Sequence, residues 1–572
     1  MRLKAGLEIH QQLDCGKLFC RCDELDVEDD LIFKRKLHAT SSEMGNIDIA
    51  AKSEGIREFT YFNRGCNCLV YADEEPPRGP NKEAVNIALQ FAKLVNSRIL
   101  EEVHFMRKIV VDGSNTSGFQ RTALIATGGQ IEYEGGLLEL DQICLEEDSC
   151  RHGKNKDEYL LDRLGIPLLE ITTKPQLNKP KQVQQAAKAL GRLLRACHVK
   201  RGLGTIRQDV NVSINGGQRV ELKGFQDLSS MPQVVENEII RQSKLNDLIK
   251  GNAAEPMVVS KYFKKQKFGI ACRLIGWKGI LGTKESEKGH VRMGRELADY
   301  AKKAGVKGLM HSDELPAYGI SEKETKKLHD ILDCQDNDAF ILIFGKEEMA
   351  KDAINRVIER IKITGVPKEV RRVTPKNLTR YIRPMPGASR MYPETDIPPI
   401  SLNNIQVIIP KTLDEREDIL PLNDEESKQV VSRNLDQRFK TLMENCDDPK
   451  IVSRVLLHIL PNIASKDLPI ISNKEIITVL NLVNENRISK EGIEGALIQI
   501  ITGQEIQIGS ENIEEDVKHF IDILIKEKNE FVKERGLGAI GPLMGPVMSE
   551  FRGKIDGAKI NALLINRIKK EI

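Results

Sequence analysis

The sequence predicts an α+β multidomain protein, in which a cradle rich in antiparallel sheet is followed by an inserted α+β domain and by all-α C-terminal domains. The length of 572 residues suggests several domains, since one domain usually takes about 100–200 residues. Short segments of period-2 alternation between glycine and proline turns dominate residues 1–274, whereas helical periodicity dominates from residue 411 onward. Between them, strand-like and amphipathic helical segments are mixed.

The changes in pattern define the predicted domain boundaries. The domains are a cradle at 1–274, to which 376–410 returns, an insert at 275–375, a helical domain at 411–505, and a tail domain at 506–572. Within the cradle we expect helices at 81–97 and 180–197, where apolar residues follow helical spacing. Within the insert, EEMAKDAINRVIERIKI predicts an amphipathic helix.

Composition narrows the class of protein. No uninterrupted apolar stretch approaches the length of a membrane helix, and MRLKAGLEIH lacks the pattern of a signal peptide, so we expect a soluble cytoplasmic protein. The eleven cysteines are unevenly spaced and favour reduced thiols over a disulfide framework. Because the net charge is only +2, nucleic-acid binding would depend on local basic groups such as Arg371-Arg372.

Strand alternation first draws attention to RLKAGLEIHQ. Side chains two residues apart on a strand share a face, so the apolar residues from Leu3 to Ile9 form one face. Glu8 and His10 are then left together on the other face. A carboxylate beside an imidazole is typical of metal binding or of acid–base catalysis.

A second polar row is predicted in the hairpin of RQDVNVSI and RVELKGF. The turn Asn215-Gly216-Gly217 is a strong hairpin signal, so the polar faces of the two strands should lie side by side. The predicted row consists of Asp209, Asn211, Ser213, Glu221 and Lys223. Oxygen ligands mixed with a lysine suit Mg²⁺ and phosphate.

Two further acidic sites interrupt apolar strand-like runs. Glu146-Glu147-Asp148 follows LDQICL, and Glu170 lies in GIPLLEIT. Acids repeated at the ends of apolar strands favour a functional cluster over a merely solvated face. Alternation sends Glu146 and Glu147 to opposite faces, but spacing alone leaves open which of them joins the cluster.

Several motifs then show a family resemblance. The runs GLEIHQQLD, MRKIVVDGSNTSGFQRT, LEED, LDRLGIPLLEITTKP, RGLGTIRQDVNVSI, RVELKGFQDL and MYPETDIPP occur in an order that resembles the GatB/GatE family of glutamyl-tRNA(Gln) amidotransferases, and in particular its archaeal GatE branch. HSDELP and its flanks resemble the insert that this branch shares with bacterial-type aspartyl-tRNA synthetases, so the insert is expected to be AspRS-like. The run GLGAIGPLMGPVM resembles the small helical tail domain, which in the family binds the tRNA body.

The resemblance implies an ATP-dependent enzyme that uses Mg²⁺. ATP would phosphorylate the side-chain carboxylate of glutamate on misacylated Glu-tRNA(Gln), and ammonia would displace phosphate to give Gln-tRNA(Gln). Carried over by motif, one metal site is His10, a glutamate of Glu146-Glu147, and Glu170; the other is Glu8, Asp209 and Glu221; Arg207, Ser213 and Lys223 lie near the nucleotide. No GxxxxGK[ST] loop is present, so ATP binding would rest on these residues.

Ammonia has no evident source within the sequence. The chain has no G-x-S-x-G elbow and no convincing Ser-Ser-Lys pattern, so a separate protein that hydrolyses an amide is implied. The resemblance implies that this protein is the asparaginase-like GatD, in a heterotetramer of two GatD and two GatE chains, with tRNA(Gln) carrying glutamate as the substrate.

Two close cysteine pairs are candidates for structural zinc. Four thiolates from Cys20, Cys22, Cys66 and Cys68 could complete a tetrahedral Zn²⁺ site. However, C-x-C is tighter than the usual spacing, so free thiols remain the alternative.

Two other functions fit part of the sequence. A non-catalytic tRNA-binding adaptor would explain the helical tail and the insert, but not the repeated acids. An aminoacyl-tRNA synthetase would explain tRNA and ATP together, but the HIGH and KMSKS signatures of one class are absent and the likeness to the other is confined to the insert.

Overall fold

The computed structural model divides the chain into two compact units, Met1–Pro410 and Lys411–Ile572. It describes residues 2–22, 28–41, 45–48, 51, 56–64, 68–225, 227–247, 251–263, 268–282, 292–403, 405–466, 468–485, 487–506, 513–551 and 553–571.

The strands of the first unit, in chain order, run from β1 to β23. They are β1 Leu3–Gln12, β2 Glu28–Leu37, β3 Arg57–Arg64, β4 Arg98–Ile99, β5 Glu102–Val103, β6 Phe105–Ile109, β7 Phe119–Thr127, β8 Gln130–Tyr133, β9 Gly136–Glu147, β10 Arg151–His152, β11 Glu158–Leu160, β12 Pro167–Thr173, β13 Ile206–Ile214, β14 Val220–Lys223, β15 Asn252–Ala253, β16 Met257–Val258, β17 Gly269–Ile275, β18 Met310–His311, β19 Ala339–Phe344, β20 Glu369–Val373, β21 Thr379–Pro384, β22 Met391–Pro393 and β23 Ile400–Ser401.

The α-helices of the first unit are α1 Lys82–Leu94, α2 Pro180–Leu194, α3 Met231–Asp247, α4 Met293–Lys302, α5 Glu322–Ile331 and α6 Glu347–Lys362. Those of the second unit are α7 Leu413–Asp418, α8 Asp424–Ser432, α9 Asp436–Met443, α10 Pro449–Arg454, α11 Leu460–Ala464, α12 Asn473–Asn484, α13 Ile493–Ile501, α14 Ile513–Glu527, α15 Asn529–Arg535, α16 Ile540–Phe551 and α17 Gly557–Ile568. A π-helical turn at Val455–Ile459 joins α10 to α11. The predicted combination of an antiparallel-rich sheet with C-terminal helices is therefore confirmed.

A 12-stranded sheet forms the main framework of the first unit. Its order is β21-β20-β14-β13-β1-β12-β9-β7-β6-β22, with β4 on β7 and β8 on β9, and its pairs are antiparallel except β14 with β20. The apolar face of β1 is covered by α2, which buries residues at helical spacing such as Val183, Ala187 and Leu190. β1 thus lies near the middle of the sheet, with one face in the core.

The predicted hairpin joins β13 to β14. Asn215 and Gly216 have φ values of 51° and 75°, in the left-handed region that asparagine and glycine tolerate best. Asn211 pairs directly with Glu221, which confirms that the two polar rows lie side by side. Val210, Val212 and Ile214 on β13, and Val220 and Leu222 on β14, are buried.

A second sheet has the order β15-β17-β19-β18, with β16 also paired to β17. It begins at Asn252, before the predicted boundary at residue 275, and β20 already belongs to the main sheet. The strands of both sheets are similar apolar runs, so composition does not show to which sheet a strand belongs. Pairing with distant strands decides it. The domain division itself stays a prediction.

A buried network of ion pairs connects α4 to the edge of the main sheet. The Arg371 guanidinium donates to Glu296 at 2.6 Å and to Glu369 at 2.6 Å, and Arg241 donates to Glu238 at 2.9 Å. Arg371 is fully buried. The interpretation of Arg371 as a candidate nucleic-acid contact is therefore wrong, because β20 turns this side chain inward.

The second unit is built from helices with their own apolar cores. Buried residues recur at helical spacing, as in α17 with Ile560, Leu564 and Ile568. None of the helices in the described part of the chain combines the length and apolar character that a membrane span requires.

Candidate active site

The polar face of the main sheet collects the predicted residues from β1, β12, β9, β13 and β14. On β1, Glu8 pairs with Asp209 on one side and with Thr172 on the other. His10 pairs with Arg207 and with Glu170. Since directly paired residues point to the same side of a sheet, these side chains share one face.

The first cluster surrounds His10. Its Nε2 lies 3.4 Å from Glu146 Oε1 and 3.5 Å from Glu170 Oε2. One ligand atom from each of the three residues can lie within 4.8 Å of the others, so the group could hold a metal ion. All three side chains are at least about nine-tenths buried.

Lys108 on β6 belongs to the same cluster, although no local pattern in the sequence indicated it. Its Nζ lies 2.6 Å from Glu146 Oε2 and 3.3 Å from Glu170 Oε2. The lysine reaches them from two strands away, since β7 lies between β6 and β9. Lys108 therefore neutralises part of the negative charge of the cluster.

The second cluster follows the hairpin. Lys223 Nζ lies 2.5 Å from Asp209 Oδ2 and also contacts the Glu221 carboxylate. Glu8 Oε1 is 3.9 Å from His10 Nε2, and Glu8, His10 and Asp209 form a second group that could hold a metal ion. His10 therefore links the two clusters.

Glu146 and Glu147 face opposite sides of the sheet. Glu146 turns to His10, whereas Glu147 Oε1 accepts a hydrogen bond of 2.9 Å from the Arg121 backbone N–H. Leu145 and Ile143 alternate with Glu146 and share the buried side of Glu147. The structure therefore brings Glu146 into the cluster and leaves Glu147 out of it; extending the apolar alternation would have indicated the same choice.

Arg207 and Ser213 lie in the same row of β13 as Asp209. Arg207 Nη2 donates to Asp148 Oδ1 at 2.9 Å, and Asp148 also accepts from Gln12 Nε2 at 2.7 Å. Arg207 is thus held beside His10, while Ser213 pairs with Lys4 further along the row.

Burial and charge shift the pKa of several of these groups. Burial raises the pKa of Glu8 to about 7, against the opposing charge of Lys223. Burial would lower the pKa of His10, but hydrogen bonds to Glu146 and Glu170 raise that pKa to about 10. For Glu170, burial alone would raise the pKa. The neighbouring Lys108 and His10 have the larger effect and hold that pKa well below its usual range.

Two buried oxygen atoms on this face lack a hydrogen-bond partner among the described residues. They are Thr172 Oγ1, opposite Glu8, and Asn211 Oδ1, opposite Glu221. A buried polar atom without a partner is unfavourable unless a water or an ion completes it. Together with the clustered carboxylates, these oxygen atoms fit the ligand preference of Mg²⁺.

Three of the four predicted zinc ligands lie together. The sulfur atoms of Cys20, Cys22 and Cys68 lie within 4.8 Å of one another. Cys66, the fourth, lies outside the described residues. Three thiols so close form a donor set suited to a soft metal such as Zn²⁺.

Comparison with known proteins finds relatives over nearly the whole chain. A family model described as the GatB/GatE catalytic domain matches residues 3–407, and one described as a GatB domain matches 437–568. A relative from Archaeoglobus fulgidus, named as the E-type subunit of glutamyl-tRNA(Gln) amidotransferase, is 42% identical over 100% of this chain and 98% of its own length. Relatives of the same name from Thermococcus gammatolerans and Pyrococcus furiosus are each 40% identical, over 99% and 95% of this chain and 98% and 94% of their own lengths. The chain therefore belongs to the GatB/GatE family.

Proposed function

We propose that this chain amidates the glutamate of misacylated Glu-tRNA(Gln) in an ATP-dependent reaction. The γ-phosphoryl group of ATP passes to the side-chain carboxylate, giving an acyl phosphate and ADP. Ammonia then forms the C–N bond as phosphate leaves with the bonding electron pair, and a proton is released. The product is Gln-tRNA(Gln), and the names of the relatives support this substrate.

The observation that carries the proposal is the pair of acidic clusters on one face of the central strands. His10, Glu146 and Glu170 would hold one Mg²⁺ ion. Glu8 and Asp209, which pair directly on neighbouring strands, would hold the other together with Glu221, which shares Lys223 with Asp209. Bound Mg²⁺ would offset the repulsion between the substrate carboxylate and the phosphates.

The basic residues of the face have a separate task. Lys223, on β14, and Arg207, held beside His10 by Asp148, are suited to bind phosphate oxygens. A cation fixed by buried carboxylates needs little reorganisation when charge develops on the transferred phosphoryl group.

Ammonia would come from a partner. We propose that this partner is the asparaginase-like GatD, in a complex of two GatD and two GatE chains. The names of the relatives describe one component of an amidotransferase and so support an enzyme of several chains.

We further propose that Cys20, Cys22 and Cys68 hold a structural Zn²⁺ ion together with Cys66. One zinc per chain by elemental analysis, lost in Cys20→Ser, would support that site; no zinc in the purified protein would refute it.

The test of the reaction is the release of inorganic phosphate from ATP in the presence of Glu-tRNA(Gln), with ammonium as the nucleophile. Release should require the charged tRNA and should be lost in Glu8→Ala and His10→Ala. Glu139→Gln is a suitable control, because this residue lies on β9 like Glu146 but pairs with Lys174 away from the clusters.

Each alternative function predicts a different result. A non-catalytic adaptor would bind Glu-tRNA(Gln) without phosphate release, and a synthetase would release pyrophosphate with a free amino acid. Unchanged turnover in both Glu8→Ala and His10→Ala would contradict the assignment of the site.

A further inference from the structure

The second sheet and its helices form a cleft that the proposed reaction does not use. Its volume is about 1240 Å³, and its lining residues fall between Phe268 and Met349, outside the main sheet. A cleft of this size can accept a nucleotide-sized molecule, since ligand pockets usually measure about 300–1,000 Å³.

Two helices begin at this cleft, and in neither does the side chain of the N-cap residue cap the helix. The N-cap of α4 is Arg292 and that of α6 is Lys346; both residues line the cleft, and neither side chain makes a capping hydrogen bond. A cation at the start of a helix opposes the helix dipole, whereas an anion is favoured there. At α4 the Gly294 N–H already donates to the Leu281 carbonyl, so the start of α6 is the one suited to an anion.

Two lysines add positive charge to the cleft. Lys307 and Lys346 are exposed, and neither forms an ion pair with the described residues. The two acids of the lining are already engaged, since Glu314 pairs with Arg292 at 3.2 Å and Glu347 with Lys351 at 2.7 Å. The two lysines are therefore suited to bind a phosphate group.

A buried histidine forms part of the wall. His311 is only 2% exposed, and its Nδ1 has no hydrogen-bond partner within the described part of the chain. Its Nε2 lies 3.5 Å from Glu314 Oε2. A Cβ at Gly294 would lie 2.4 Å from that Nε2, so the first turn of α4 packs directly on the imidazole. His311 therefore brings to the lining of the cleft a buried ring nitrogen that a ligand or an ordered water could complete.

An aromatic ring stands at the same cleft. Tyr318 lines it and is 72% exposed, and its φ of 54° lies in the left-handed region that tyrosine seldom adopts. An exposed aromatic ring is a common stacking partner for nucleic-acid bases.

We propose that this cleft binds a nucleoside phosphate, with the phosphate at Lys307, Lys346 and the start of α6, and the base on Tyr318. A free mononucleotide and the terminal nucleotide of an RNA offer the same chemistry. The site is independent of the proposed catalytic face, because none of its described lining residues belongs to the acidic clusters.

Calorimetric titration of the full-length chain with AMP tests the proposal. The titration uses a Lys223→Met background, in which we expect nucleotide binding at the proposed catalytic face to be weakened, so that the remaining binding reports on the cleft. In that background, Lys307→Glu with Lys346→Glu should weaken AMP binding by at least about tenfold. Lys362→Glu, at the C-terminal end of α6 and outside the described lining residues, should change it by less than about twofold.

Tyr318→Ala should weaken binding and Tyr318→Phe should restore it, which separates stacking from the hydroxyl contact with Glu314 at 3.4 Å. Competition by a short RNA ending in adenosine distinguishes the two sources of the nucleotide. Equal AMP and RNA affinities in Lys307→Glu/Lys346→Glu and in its parent, or no binding of either probe, would overturn the proposal. Because this readout is binding without turnover, its failure is distinguishable from a failure of the proposed reaction.

Discussion

Two of the buried groups of charged residues in the first unit can be compared, one on the central strands and one at the edge of the main sheet. The edge network combines Glu238, Glu296 and Glu369 with Arg241 and Arg371, and each carboxylate accepts at least one hydrogen bond from an arginine. Tyr300 adds a hydroxyl 2.5 Å from Glu369. Every carboxylate of this network therefore has a cationic partner.

The central face also combines buried carboxylates with cations, but its cations are lysines and a histidine instead of arginines. Five carboxylates, those of Glu8, Glu146, Glu170, Asp209 and Glu221, face two lysines and one histidine. Two neighbouring oxygen atoms also lack partners among the residues that the structure describes. The difference teaches that burial of charge alone does not mark a functional site; unpaired ligand oxygen atoms beside the buried carboxylates do.

The largest expected effect separates neighbours on β9. Glu146→Gln should reduce tRNA-dependent phosphate release by about three orders of magnitude, because it removes a charged ligand from the cluster. Glu147→Gln should keep the rate within about tenfold, because this carboxylate faces Arg121 on the other side of the sheet. Initial rates at saturating ATP measure both. Equal losses would mean that the two faces are not functionally distinct.

The edge network should control stability instead. Arg371→Met leaves Glu296 and Glu369 without their shared partner and should lower the free energy of unfolding by about 3–5 kcal/mol. Arg356→Met, which breaks only an exposed pair with Asp352, should change it by about 0–1 kcal/mol. Urea unfolding followed by the fluorescence of Trp277, the single tryptophan, reports on this unit. Similar values for the two variants would contradict the structural role of the network.

The two regions should respond to pH with opposite signs. Burial would raise the pKa of Glu296, but Arg371 and Arg241 lower it from 4.5 to about 2, so its contribution to stability is present above pH 4.5 and is lost as the pH falls through about 2. Burial raises the pKa of Glu8 from 4.5 to about 7, so its contribution is present below pH 4.5 and is lost as the pH rises through about 7.

Unfolding free energies measured across pH in EDTA test this contrast. Glu296→Gln should flatten the curve between pH 2 and 4.5, and Glu8→Gln between pH 4.5 and 7. If Glu8→Gln leaves the curve unchanged, then ionisation of Glu8 does not destabilise the metal-free protein, which would contradict the contrast.

The smallest effect concerns the buried hydroxyl of Thr172, which has no partner among the described residues. Thr172→Val removes this polar atom and should stabilise the metal-free protein by up to about 1 kcal/mol. The same change should weaken activation by Mg²⁺, because an oxygen near the clusters is lost. A variant that is less stable and equally active would indicate that Thr172 is an ordinary packing residue.

Local patterns predicted much of this site. Alternation was sufficient for Glu8 with His10 on β1, and the Asn-Gly turn for the pairing of Asn211 with Glu221, because both depend on neighbours in sequence. Lys108 could not be predicted, since its strand lies two positions from β9 and only the strand order brings its Nζ to Glu146.

The edge network shows the same limit. From the sequence, Arg371-Arg372 is predicted to be a basic pair on the surface. Arg371 is buried because β20 pairs in parallel with β14 and because α4 packs against it. The start of the second sheet at Asn252 also depends on which distant strand β17 joins. Sequence patterns therefore predict faces and turns, whereas pairing between distant strands decides which charges meet.

Metal binding to the central face tests the account most directly. Crystals of the chain soaked with Mn²⁺ in place of Mg²⁺ should show two anomalous peaks, one beside His10, Glu146 and Glu170 and one beside Glu8, Asp209 and Glu221. Glu170→Gln should remove the first peak and Glu221→Gln the second, while the edge network should bind no Mn²⁺ in any variant. Absence of Mn²⁺ from the central face, or equal binding in the edge network, would contradict the account.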